Sequence, residues 1–343
     1  MVQNTAKLGG TASGITVAKI AQGLMMMTLR DPKHPLSDEE AFESIKAGVD
    51  ACPPGAKMFL NSGEFYSYDF STANLQLLAR FFEKYPDYAD KTFLSVKGAI
   101  GKSVGKPGGP DTSPENLRRS VDTINGALRG TKKLDLFECA RVDQKYPIED
   151  TIKALAALVQ EGKFSHIGMS ECKAETLRRA HAVHPIAVVE IEVSLWSYEE
   201  ETKKGEIELG VAVAGYSPLG RGFLTGSIKS TSDLSDGDYR RMLTRFKDEY
   251  IKENIAIVEE LKALAVKRNI TPAQLAIAWV ASLGDHVIPL PGSSSKKRTL
   301  ENLAAGDIVL TDADKAQIDK ILSSHQVKGD RYFGNDAAAH LWG

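Results

Sequence analysis

Short apolar runs recur along the chain, each followed by a longer stretch whose apolar positions repeat every three or four residues. Eight of the short runs read as strands: residues 17–23 (VAKIAQG), 58–63 (MFLNSG), 92–98 (TFLSVKG), 134–142 (LDLFECARV), 165–170 (SHIGMS), 187–193 (AVVEIEV), 211–217 (VAVAGYS) and 286–292 (HVIPLPG). The stretches between them carry helix start and stop signals. Ser37 precedes Asp38-Glu39-Glu40, an N-cap with an acidic first turn. Ser113-Pro114-Glu115 and Thr271-Pro272 each place proline at the first helical position. Residues 148–163 keep a 3.6-residue period up to Gly162-Lys163.

Near-continuous apolar strands alternating with helices imply a parallel sheet covered on both faces. Eight such units favour a closed (β/α)8 TIM barrel over a doubly wound sheet, whose glycine-rich fingerprint after the first strand is missing here. Length alone suggests two domains at about 150 residues each. The unbroken strand–helix rhythm instead predicts one domain over residues 1–343. Residues 8–15 (LGGTASGI) are expected in a small N-terminal hairpin under the barrel, and the tail after His325 over its mouth. Residues 225–250 are polar and charged, and are expected as a long loop able to act as a lid.

Composition narrows the class. The chain has 343 residues, with 43 Lys+Arg against 45 Asp+Glu. That near balance argues against nucleic acid or an anionic membrane as the main partner. No apolar run approaches the ~20 residues of a membrane span, and residues 1–10 lack a signal-peptide core. Cys52, Cys139 and Cys172 are too scattered for a disulfide framework. His181 and His184 share a helix face without an acidic or thiol partner, so no metal site is expected. A cytoplasmic enzyme, monomeric and acting on a small molecule, is the expectation.

Barrel chemistry sits at the C-terminal strand ends. Tyr66 follows the second strand and Lys97 ends the third, which brings both to one rim. A tyrosine beside an ammonium is a sensible proton donor for carbonyl reduction. After the eighth strand, Ser293-Ser294-Ser295-Lys296-Lys297-Arg298 puts hydroxyls and cations at a helix start, a pattern suited to phosphate. After the seventh, Tyr216-Ser217-Pro218-Leu219-Gly220-Arg221-Gly222 offers a flat ring and a close backbone approach.

Together, NSGEFY, FLSVKG, IGMSEC, AGYSPLGRGFLTG and PGSSSKKRTLEN occur in the order that resembles the aldo-keto reductase superfamily. With LDLFECARVD and VEIEVSLWSYE they resemble its fungal pyridoxal reductase branch. The resemblance implies NADPH-dependent reduction of an aldehyde, pyridoxal to pyridoxine first, with Tyr66, Lys97 and Asn61 as the catalytic set. It implies cofactor contacts at Gly23, Leu24, Met25, Ser170, Glu190, Tyr216, Ser217, Leu219, Gly220, Gly292, Ser293, Ser295, Lys296, Arg298, Glu301 and Asn302. Ala140, Arg141 and Trp196 fall in the implied substrate pocket. Two other readings remain: a broader reductase of aromatic aldehydes or keto esters, and a cofactor-binding regulatory protein like the potassium-channel β-subunits.

Two positions depart from the family pattern. Asn61 stands where an aspartate usually pairs with the lysine, and Ala140 where a histidine is usual. Asn61 can accept a hydrogen bond from Lys97 but brings no charge. Lys97 is therefore expected to keep an unneutralised charge that favours the Tyr66 phenolate, with Arg141 a candidate to take the histidine's place.

Overall fold

A computed structural model describes residues 1–103, 106–198 and 209–332, without the side chains of 102–107. Eight parallel strands follow one another round a barrel: Gln22–Gly23, Met58–Gly63, Thr92–Gly98, Leu136–Cys139, His166–Ser170, Val188–Glu192, Ala212–Tyr216 and Val287–Leu290. The last returns to the first through a parallel bridge between Gly23 and Gly292. Ala21 N–H donates to the Pro289 carbonyl (2.9 Å) and Gly23 N–H to that of Pro291 (3.0 Å). Proline is tolerated in the closing strand because at this seam it need only accept.

The first strand is shorter than its apolar run. Thr16–Ala18 pairs antiparallel with Thr5–Lys7, Val17 opposite Ala6, as the N-terminal hairpin. The run 17–23 therefore serves two sheets: its first half closes the hairpin and only Gln22–Gly23 joins the barrel. Residues 8–15 form the hairpin's connection.

Helix starts follow the sequence signals. Ser37 and Glu40 form a reciprocal capping box, as do Thr271 and Gln274, and Ser113 caps a helix with Pro114 in its first turn. The helix Ile148–Gln160 stops before Gly162, whose φ of 75° lies in the left-handed region.

The strands' alternation sorts side chains into two layers. Met58, Leu60, Leu94, Val96, Phe137, Ile167, Val189, Ile191 and Val213 pack outward with the helices. Phe59, Phe93, Leu136, Val188, Ala212, Ala214, Ile288 and Leu290 form another cluster with Ala6, Leu8, Ala12 and Val17 of the hairpin segment. This second cluster plugs the bottom of the barrel.

Residues 225–250 are not the polar loop that their composition suggested. They fold into short turns of 3-10 helix at Thr231–Asp233, Tyr239–Met242 and Thr244–Phe246, and the helix Asp248–Lys267 begins inside the segment. Leu234, Leu243 and Phe246 are buried against Phe223, Leu224 and Ile251. Sparse apolar residues at turn positions were enough to build a local core, which charge counting concealed. The tail runs back over the mouth as far as Tyr332, held by hydrogen bonds from Asn254 to the Lys328 carbonyl (2.9 Å) and from Arg245 to that of Gly329 (3.1 Å). The expected tail beyond Tyr332 lies outside the described residues.

Candidate active site

Tyr66 is positioned by the turn that ends the second barrel strand. Gly63 lies against its ring: a Cβ there would sit 2.8 Å from the ring carbons, so any larger residue would displace the tyrosine. Behind the turn, Ser62 Oγ donates to Asn74 Oδ1 (2.6 Å), and Asn74 Nδ2 donates to the Leu24 carbonyl (2.9 Å) and Thr28 Oγ1 (2.7 Å). Thr28 Oγ1 in turn donates to the Tyr66 carbonyl (2.5 Å). These buried bonds hold the loop from both sides, and Tyr66 is 8% exposed.

Lys97 comes from the third strand, in register with Gly63 on one side and Glu138 on the other. Its Nζ lies 5.9 Å from the centre of the Tyr66 ring. It donates to Asn61 Oδ1 (3.3 Å), ion-pairs with Glu190, and lies 3.5 Å from Glu138 Oε1. Asn61 Nδ2 donates to the same Glu190 carboxylate (2.7 Å). All five side chains are almost completely buried.

This corrects the expectation of an unneutralised lysine. Burial alone would lower the Lys97 pKa; Glu190, then Tyr66 and Glu138, more than offset it and raise it above the ordinary lysine value. Tyr66 is pushed up to about 12, first by burial, with Lys97 opposing and Glu190 and Glu138 adding to the rise. The net effect favours the neutral phenol, where an unneutralised lysine was expected to favour the phenolate: burial weighs most against the charged form, and Lys97, paired with Glu190, does not offset it. Glu138 is itself pushed up to about 8, mainly by burial, with Lys97 opposing and Glu190 adding to the rise.

A second charged layer lies above. Tyr216 donates to Glu171 Oε1 (2.7 Å) and its hydroxyl meets that of Tyr332 (2.6 Å). Arg331 bonds Glu171 (2.8 Å) and Glu192 (3.0 Å), and Arg221 reaches Glu192 (3.2 Å). Arg141 donates to Tyr332 (2.8 Å), to the carbonyl of buried Ala140 (2.5 Å) and, at 3.4 Å, to Ser170. These contacts place Arg141, the candidate to take the histidine's place, at the mouth beside Tyr332 and Ser170.

Sequence reasoning missed Glu138, Glu171, Glu192, Arg331 and Tyr332, and placed Glu190 with the cofactor rather than on Lys97. A signal existed for three of them. Glu138, Glu190 and Glu192 interrupt strands that are otherwise apolar, and a carboxylate there is buried whichever face it takes.

The remaining expected contacts divide between the barrel seam and the loops after the sixth and seventh strands. Gly23 faces Gly292, where a Cβ would find only the Gly23 carbonyl, at 3.8 Å. Ser293 donates to the Ser295 carbonyl (3.0 Å), and Ser295 caps the helix Lys296–Ala304. Arg298 reaches Ser294 (3.2 Å) and has no carboxylate within ion-pair distance among the described residues. Lys296 instead pairs with Glu43 (3.0 Å), while Glu301 accepts from Thr271 (2.7 Å) at the neighbouring helix start. Asn302 is buried and Leu24 lies in the strand–helix core, with half-buried Met25 beside it. After the seventh strand, Ser217 and Gly220 take positive φ (53° and 54°) on either side of Leu219. A Cβ on Gly220 would strike Trp196 at 2.6 Å. Trp196 packs on Phe223 (ring centres 5.0 Å apart), beneath the Arg245 guanidinium.

The aldo/keto reductase family model matches residues 19–323. The chain belongs to the aldo/keto reductase family. A Schizosaccharomyces pombe protein named "Probable pyridoxal reductase 2" is 39% identical over 329 residues, covering 93% of this chain and 96% of that one. A Saccharomyces cerevisiae relative that also carries a pyridoxal reductase name is 35% identical, covering 92% and 96%. Aldo-keto reductase str7 of Strobilurus tenacellus is 36% identical, covering 86% and 84%. Among solved structures, a glycerol dehydrogenase from Gluconobacter oxydans superposes with a TM-score of 0.79 at 22% identity, over 96% of this chain and 98% of that one, which shows the shared barrel. This aldo/keto reductase is therefore an oxidoreductase of a family that uses NAD(P)H on small carbonyl compounds. Among the described residues, no helix is long and apolar enough to cross a membrane.

Proposed function

We propose that this aldo/keto reductase is an NADPH-dependent reductase of aldehydes, with pyridoxal, reduced to pyridoxine, as its first substrate. The observation that carries the reading is the Lys97 ammonium over the Tyr66 ring, buried where the strands end. When bound, NADPH supplies the hydride. Tyr66, held as a neutral phenol, gives its proton to the oxygen on which charge develops. Lys97 then faces the phenolate left behind and stabilises it by Coulomb attraction in a site that excludes water. Arg141, in the histidine's neighbourhood, is the group available to orient the carbonyl.

The residues fit a phosphate-bearing cofactor. Gly292 leaves space beside the seam, the capped N-terminus of the helix Lys296–Ala304 supplies free backbone N–H groups, and the Arg298 guanidinium beside them meets no carboxylate among the described residues. Lys296, paired with Glu43, would have to exchange partners to join it.

The test is NADPH oxidation by the purified protein with pyridoxal beside a panel of aromatic aldehydes and keto esters. Turnover highest with pyridoxal supports the reading. Turnover confined to the panel keeps the mechanism and replaces the substrate. Tight NADPH binding without turnover discards the reductase reading for a regulatory one. Arg298→Ala should weaken NADPH binding more than NADH binding; equal losses would remove Arg298 from the cofactor site.

A further inference from the structure

Asn61 is a two-sided group. Its Oδ1 accepts from the Lys97 ammonium (3.3 Å), while its Nδ2 donates to Glu190 Oε2 (2.7 Å). Glu190 Oε2 also pairs directly with Lys97 Nζ. Amide, ammonium and carboxylate thus close a three-membered ring of contacts contributed by the second, third and sixth strands. An aspartate at 61 would break this ring. It would lose the N–H that Glu190 accepts, and set two anionic oxygens at hydrogen-bond distance with Glu138 already nearby. A glutamine at 190 would break it from the other side, leaving two neutral amides around a buried cation.

We propose that Glu190 is the positioning residue for Lys97, and that Asn61 and Glu190 act as a matched pair in which the carboxylate comes from the sixth strand and the amide from the second. Glu190 holds Lys97 at Tyr66 instead of letting it turn toward Glu138, and Asn61 keeps the carboxylate in place. The pair therefore sets the rate of proton donation by Tyr66. This rests on the reductase reading above, but the contact ring itself does not.

The matched pair predicts a reciprocal rescue. In Asn61→Asp/Glu190→Gln the amide and the carboxylate exchange places, so the ammonium again meets one of each. The measurement is kcat and KM with NADPH and the best carbonyl of the panel for wild type, Asn61→Asp, Glu190→Gln and the double variant, with the unfolding midpoint of each. Each single variant should lose roughly tenfold or more in kcat, the usual scale for removing a supporting hydrogen-bond partner, with the KM for NADPH within about twofold. The double variant should return to within about threefold of wild type, a strong coupling for side chains in direct contact.

A single variant that keeps wild-type kcat, or a double variant no better than the worse single one, overturns the pairing. A simple structural loss would leave the double variant worst of all. If the wild type reduces no carbonyl, the reductase reading fails separately and the midpoints decide the pairing. Recovery of the midpoint in the double variant then supports it, and additive losses overturn it.

Discussion

The lower and upper halves of the barrel belong to the same strands but solve opposite problems. Phe59 and Asn61, Leu136 and Glu138, and Val188 and Glu190 lie two positions apart along their strands, and Phe93 and Lys97 four apart. Below, Phe59 and Phe93 meet edge to face at 5.4 Å between ring centres and close the bottom with the hairpin. That half gains stability from apolar burial and makes no demands on protonation. Above, one ammonium, two carboxyls, an amide and a phenol share an interior almost as dry. There each charge carries a desolvation cost that only its partners offset. The lower half explains why the strands hold their places, and the upper half explains what that rigidity is for.

The comparison can be broken from either end. Tyr66→Phe should reduce carbonyl turnover by about 10²–10⁴-fold, the range for losing a general acid, while NADPH binding measured by fluorescence stays near normal. Surviving activity would mean that another group donates the proton. Phe93→Ala should cost about 3–5 kcal/mol of stability through transfer and cavity terms, read as a lower denaturation midpoint, with kcat little changed in the fraction that stays folded. A large fall in kcat at full folding would show that the lower half also tunes the chemistry.

An effect read only through pH concerns Glu138, whose pKa rises from 4.5 to about 8 in the folded protein. Between those values the unfolded chain releases this proton and the folded protein keeps it. The folded state then binds more protons, so its stability falls as pH rises through that window. Glu138→Gln removes this contribution. Its stability relative to wild type should rise from pH 5 to about pH 8 in denaturant titrations and then level off. A difference independent of pH would mean that Glu138 is ionised in the folded protein throughout.

Much of the barrel was legible because each strand buries both faces, so seven of the eight runs read as apolar blocks near their observed limits. The first was misjudged because pairing decides membership of a sheet, and residues 17–23 divide between the hairpin and the barrel. Residues 225–250 were misjudged because a few apolar residues among many charges suffice for turns that pack on a neighbouring helix. In the site, Tyr66 and Lys97 were reachable from strand order alone. Their electrostatic state was not, since it depends on burial and on two glutamates far along the chain: Glu138 reaches Lys97 through the pairing of neighbouring strands, and Glu190 across the closed interior.

The order of strands and helices, the caps and the side-chain types at each strand end are local properties, set by periodicity and by neighbours a few residues away, and could be read without the fold. The pairing of Lys97 with Glu190, the rise of the Tyr66 pKa and the return of the tail's Arg331 and Tyr332 to the mouth came from the folded arrangement alone. The physical reason is that Coulomb and desolvation energies depend on distance in space and on the exclusion of water, and both arise only when the strands have closed.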